Sequence, residues 1–440
     1  MRFVRHLPVT ALAAAVAISG HAQAQTEITV ATVNNNDMVI MQSLTEVFEE
    51  AHPNITLDWV VLEENVLRQR MTTDIATGGG QFDVMTIGTY EVPIWAERGW
   101  LTPLDELPDD YNVDDLLASV RDGLSFDETL HALPFYAESS MMYYRKDLFE
   151  EAGIEMSEQP TWEEVREWAS ELHGTQDGLA GICLRGKPGW GENIAVVSTL
   201  VNTYGGRWFD EEWNPELNSE AWVNAVQFYV DLLNDYGPPG ASSNGFNENL
   251  ALFSRGNCAM WVDATSAAGK LYDGNESSVS DSLGFAPAPV AKTPKGSHWL
   301  WSWALAIPAS SEKQEAALEF ITWATSEEYI ELVGDTEGWT NVPPGTREST
   351  YANKQYIEAA PFAGFVLEAI KKADPTDSTL EPSPYTGVQF VGIPEFQSIG
   401  TRVGQTIAAA LTGDTTVEQA LDRAQRATER TMQRAGYTDL

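Results

Sequence analysis

Short apolar runs alternate with helix-length amphipathic stretches along nearly the whole chain, and no Pro/Ser/Gly-rich tether interrupts them. That alternation constrains the fold more than any other feature, because strands followed by helices of ten or more residues build α/β units. The strand-like runs are "EITVATV" (27–33), "FDVMTI" (82–87), "LAGICL" (179–184), "NCAMWV" (257–262) and "WALAIP" (303–308). A helix is expected after "NNND", with Ile40, Met41, Leu44, Val47 and Phe48 on one face and Asn36 or Asp37 as its cap. Capping boxes open further helices at Thr161/Glu164, Ser311/Gln314 and Thr416/Gln419. The expected fold is α/β with mainly parallel sheets. A chain of 440 residues supports two cores. Without a tether, it should cross between two lobes several times and leave a ligand cleft between them. The loops after the strands, "NNND", "GTYE", "RGKPGWGEN" and "DATS", then face that cleft.

The amino end reads as an export signal: Arg2 and Arg5, an apolar run from Ala11 to Ile18, and "AQA" at 22–24. The apolar run is too short to span a bilayer. An exported, periplasmic protein is therefore expected. The formal net charge is −39, spread along the chain rather than gathered in tails. Such a body repels phosphate backbones and anionic membranes, which argues against nucleic acid as a partner. The spread charge also fits a high-salt medium, where self-repulsion is screened. Cys183 and Cys258 are the only cysteines, free to be a single disulfide or two buried thiols. Neither CxxC nor a Cys/His zinc spacing is present, and no metal or cofactor is expected.

Fifteen tryptophans are many for this length, and several sit in polar company: "GWGEN", "MWVDATS", "HWLWSWAL". A ring face stacks on the C–H side of a polyol or sugar, while neighbouring carboxylates and amides pair its hydroxyls. The loops combine these groups at Trp190 with Glu192, Asn193 and Arg185. Asn36, Asp37, Tyr90, Tyr136, Glu138, Asp263 and Trp301 are candidates from the other loops. Each has a plainer reading: the tryptophans as core, Arg185–Glu192 as a loop-ordering ion pair, Asp263 as a helix cap. Glu138 and Asp263 across a cleft would also suit a glycosidase. There is no GxSxG, HExxH or P-loop, and His298 reads as structural.

In order, "GGGQFDVMTIG", "WAERGWLTPLDEL", "ALPFYAESSMMYYRKDLFEEAGI", "PTWEEVREWASEL", "LFSRGNCAMWVDAT" and "ALAIPASSEKQEAALEFITWATS" resemble the bacterial extracellular solute-binding proteins related to the maltose-binding protein. The resemblance implies two α/β lobes joined by a hinge. They would comprise 26–135 with 299–351, and 136–298 with 352–440. It also implies ligand delivery to the permease of an ABC importer, with no bond made or broken. "ICLRGKPGWGEN", "WVDATSAAG" and "PYTGVQFVGIPEFQSIG" resemble the branch that binds mannitol and sorbitol. By the same resemblance Glu138, Trp261 and Phe396 are ligand contacts. A monomer is expected; a larger oligosaccharide is the alternative ligand.

Overall fold

The computed structural model describes residues 25–439; the expected export segment lies outside them. Along the chain come β1 (Thr26–Thr32), β2 (Ile55–Val61), β3 (Val84–Gly88), β4 (Leu133–Glu138), β5 (Ser140–Arg145), β6 (Ala180–Cys183), β7 (Cys258–Ala264), β8 (Leu283–Pro287) and β9 (Trp301–Ala306). They form two sheets, ordered β2-β1-β3-β9-β4 and β8-β5-β7-β6. The helices that bear on function are α1 (Asn36–Ser43), α2 (Glu64–Thr77), α3 (Asn193–Thr203), α4 (Phe246–Ser254), α5 (Phe396–Leu411) and α6 (Val417–Ala435).

The sheets are mixed rather than mainly parallel. β1 runs parallel to β2 and β3, but β9 runs antiparallel to β3 and β4. In the second sheet β6 and β7 are parallel, while β5 opposes both β7 and β8. The crossings explain this. β1, β3 and β4 run toward the gap between the sheets, whereas β9 starts at the gap and runs away. The run 133–145 is two strands broken only at Ser139, and a helix follows from Lys146. β4 stays in the first sheet to Glu138, past the expected boundary after Phe135, and β5 begins the second sheet. The Ser139 amide donates to Thr265 Oγ1 at 3.0 Å and fixes the crossing point.

Local signals fared unevenly. Thr161 and Glu164 form the reciprocal capping box, and Thr416 accepts from the Gln419 amide. Ser311 caps no helix: its hydroxyl donates to Asp83 at 2.7 Å, and the helix begins at Gln314 beyond it. The helix after "NNND" breaks at Leu44 and restarts at Thr45. Asn35, not Asn36 or Asp37, is its cap residue. Met41, Leu44 and Phe48 are buried, Ile40 is half-buried and Val47 is exposed.

Helices α5 and α6 pack on the second sheet's side, α5 against α3. Trp208, Trp222 and Trp261 are among the largest fully buried side chains. Cys183 and Cys258 form a disulfide between the neighbouring strands β6 and β7, with Cα atoms 6.0 Å apart. The bridge closes a loop of 75 residues in the unfolded chain. Reducing it, or making Cys183→Ser with Cys258→Ser, should lower the unfolding free energy by about 2–4 kcal/mol. Urea unfolding of oxidised and reduced protein checks this; coincident curves would contradict it.

Candidate functional site

Between the two sheets lies a small cavity lined by side chains from both. Strand ends and helix starts supply its walls. Trp301 and Trp303, on one face of β9, and Trp299 just before it give three indoles. Helix α2 starts two residues after β2 ends, capped by the Glu63 side chain on the Val66 amide. Its first turns present Glu64 and Arg68, one turn apart.

Arg68 is nearly fully buried, and its charge is met on two sides. Its Nε donates to Glu64 at 3.0 Å and its Nη1 to Glu91 at 2.6 Å. The guanidinium also lies over three rings: Trp190 at 4.1 Å, Trp303 at 4.6 Å and Trp301 at 5.0 Å. Trp190 comes from the loop after β6, across the cavity from α2. Each such cation–π contact is worth about 0.5–2 kcal/mol, with the desolvated ones at the upper end.

The loop that carries Trp190 is built around Arg185. Its Nε and Nη2 grip Asp263 at 2.9 and 2.5 Å, and its Nη1 donates to the Gly191 carbonyl at 2.7 Å. A Cβ at Gly191 would meet the Glu64 carboxylate and displace it from Arg68. Glu138, at the end of β4, accepts a hydrogen bond from the Ser266 hydroxyl at 2.5 Å. Burial pushes its carboxyl up to about 8. Asn35, Phe246 at the start of α4, Ala195 of α3 and Gln389 complete the wall. Stacking faces, two guanidinium groups and two carboxylates thus surround one small space. That combination can hold a neutral, hydroxyl-rich molecule.

Contacts close the mouth on the Trp190 side. Lys187 pairs with Glu63 at 2.6 Å, and Asn65 donates to the Pro188 carbonyl at 3.4 Å. Residues 32–331 match the family described as bacterial extracellular solute-binding protein. The chain belongs to this family. It is 60% identical over 425 residues to the mannitol-binding protein of Pseudomonas aeruginosa, covering 97% of each. It superposes on an ABC transporter solute-binding protein from Agrobacterium vitis S4, solved with bound D-mannitol. The TM-score is 0.92 at 58% identity, covering 93% of this chain and 99% of that one. A ribitol complex from Agrobacterium radiobacter K84 shares the fold, with a TM-score of 0.82 at 23% identity and coverage of 93% and 99%.

Of the residues singled out in this solute-binding protein's sequence, Glu138, Arg185, Trp190 and Trp301 come together on the cavity wall. Asn36 and Asp37 do not; they face a separate cleft with Ser266 and Asn341, because α1 already begins at Asn36. The buried Asp37 carboxyl is pushed up to about 7. Tyr90 is spent on the carboxyl-terminal segment, donating to the Ile393 carbonyl at 2.9 Å and accepting from the Gln397 amide at 3.1 Å. Tyr136 accepts from Asn35 at 3.1 Å, behind the wall.

Glu192 accepts from the Phe246 amide at 3.3 Å, and burial raises its carboxyl to about 7. Asn193 ties its loop to α5, donating to the Gly404 carbonyl at 2.9 Å. Trp261 stacks on Tyr143 at 5.3 Å in the core and donates to Asp263 at 3.1 Å. Asp263 is therefore consumed by Arg185 and Trp261. Phe396 is fully buried, with its ring 5.0 Å from that of Trp208. These residues hold the site rather than line it. Glu64, Arg68, Phe246, Trp299, Trp303 and Gln389 were missed.

Two outcomes follow for the folded protein without ligand. The Glu138 pKa in the folded state lies above its ordinary value of 4.5, so folding takes up a proton between about pH 4.5 and 8. That contribution is fully present below 4.5 and is lost as pH rises through 8. Glu138→Gln should flatten the decline of stability with pH in that window, by at most about 1.4 kcal/mol per pH unit. Chemical unfolding from pH 4 to 9 measures it, and parallel wild-type and variant profiles would refute it. Arg185→Met should cost about 3–5 kcal/mol in the same assay, because it strands the buried Asp263 carboxylate.

Proposed function

We propose that this protein captures a linear sugar alcohol of the mannitol type between its lobes and delivers it, as a periplasmic monomer, to the permease of an ABC importer. The observation that carries this reading is the cavity itself. Four indoles and a phenyl ring surround a space flanked by Glu64, Glu138, Arg68 and Arg185, in a chain 60% identical to a mannitol-binding protein. Acyclic polyols offer alternating C–H faces and hydroxyls to such a wall. Ligand bridging the lobes favours closure only by the difference between its affinities for the closed and open states. The permease then reads the closed shape, and the ligand leaves unchanged.

Two other readings are disfavoured by specific contacts. A glycosidase would need Glu138 and Asp263 facing one substrate, but Asp263 is gripped by Arg185 and turned from the cavity. A long oligosaccharide would need a cleft open at its end. Here Trp190 abuts α5 so tightly that a Cβ on Gly400 would lie 2.8 Å from the Trp190 Cβ.

Titration calorimetry tests the proposal. D-mannitol or a close stereoisomer should bind more tightly than maltose or longer saccharides. Glu138→Ala should weaken binding by about 1–3 kcal/mol, the cost of leaving a buried hydroxyl without its partner, and Trp190→Ala should weaken it as well. Affinities unchanged within about 0.5 kcal/mol in both variants would place the ligand elsewhere.

A further inference from the structure

Three neutral polar atoms in the cavity wall are buried without a hydrogen-bond partner among the described residues: Gln389 Oε1, Trp190 Nε1 and Trp299 Nε1. Their residues are 6%, 4% and 2% exposed. Buried polar groups in native proteins are nearly always paired, so three orphans lining one pocket mark groups meant for something that enters it. Gln389 is the informative one. Its Nε2 donates to the Leu300 carbonyl at 2.9 Å, which settles the amide's orientation and leaves Oε1 as the free acceptor. It stands on the loop before α5, seven residues ahead of Phe396, within the segment "PYTGVQFVGIPEFQSIG" but not among the residues named from the sequence.

We infer that Gln389 is a specificity-determining residue: its fixed carbonyl oxygen accepts a hydrogen bond from one particular ligand hydroxyl, while the Trp190 and Trp299 N–H groups donate to neighbouring oxygens. The inference rests on the polyol reading of the site and adds to it. The charged groups of the cavity attract any hydroxyl-rich molecule. A neutral acceptor that cannot rotate demands a donor at one position. A ligand with a carbonyl, an ether oxygen or no oxygen there leaves Oε1 buried and unpaired, and sites built this way reject such analogues strongly.

The test compares D-mannitol with its 1,6-, 2,5- and 3,4-dideoxy derivatives on wild type, Gln389→Met and Gln389→Glu, because the two-fold axis of mannitol would let a monodeoxy derivative turn round and present its intact hydroxyl. Wild type should bind one dideoxy derivative roughly 10- to 100-fold more weakly than a second derivative lacking a different pair of hydroxyls. Gln389→Met, similar in shape but without the acceptor, should lose roughly 10- to 100-fold for mannitol and no longer discriminate against that derivative. In Gln389→Glu the buried carboxyl takes up a proton, donates it toward Leu300 and keeps a carbonyl oxygen where Oε1 stood. It should therefore retain the wild-type order of derivatives.

Mannitol affinity within about threefold of wild type in Gln389→Met would overturn the inference. So would an equal loss for every ligand, which marks a structural effect only. Should Gln389→Met not fold, Gln389→Glu decides: the wild-type order kept supports the inference, the order lost overturns it. In either of those cases wild type still binds mannitol and the functional reading stands. A wild-type protein that binds no polyol would overturn that reading and this inference together.

Discussion

One guanidinium connects the two halves of this protein. Arg68 belongs to the first sheet's helix, yet its face carries Trp190 from the second, and Glu64 and Glu91 hold it from behind. A buried cation is costly unless paired. Two carboxylates and two ring faces from its own half meet this one, and Trp190 from the other half completes its enclosure. Recognition of ligand and apposition of the lobes are thus served by the same side chains.

Arg185 plays the complementary part on the other side. Its fork on Asp263 and its bond to the Gly191 carbonyl turn a glycine-rich loop into a rigid platform for Trp190. The disulfide begins two residues before Arg185, joining the strand that leads into the loop with the strand that carries Asp263. Rigid support of this kind keeps the ring from relaxing into the space it borders, so less ordering is left for the ligand to impose.

Much of this architecture was legible because it is local. The apolar runs, the Thr161 box and the Trp190 loop are short-range patterns, and each lies where its spacing put it. What failed was choosing faces. Trp261 and Asp263 sit two apart on β7, so they share a side, but both sides of that strand are buried and the sequence has no polar alternation to tell them apart. An aromatic beside an acid there looks like a binding wall and is instead its anchorage. Arg68 was invisible for the opposite reason. Glu64 and Arg68 form an ordinary helical i, i+4 pair, of the kind found on countless solvated surfaces. Only the arrival of Glu91 and of indoles from positions 190, 301 and 303 turns that pair into the floor of a site. Gln389 lay inside a segment whose resemblance was noted, but nothing local in an irregular loop tells which of its side chains is turned to a cavity.

The contact at Gly400 has a consequence for how such pockets diversify. Because the Cβ of Trp190 rests on the main chain of α5 at Gly400, while Tyr90 and Phe396 pack against its ring, that end of the pocket is closed by backbone as well as by side chains. Relatives that hold longer cargo could not arise from this template by shaving residues one at a time. They would need the helix itself to shift, or the loop bearing the indole to be rebuilt, which makes cargo length a property of the backbone and hydroxyl preference a property of the side chains.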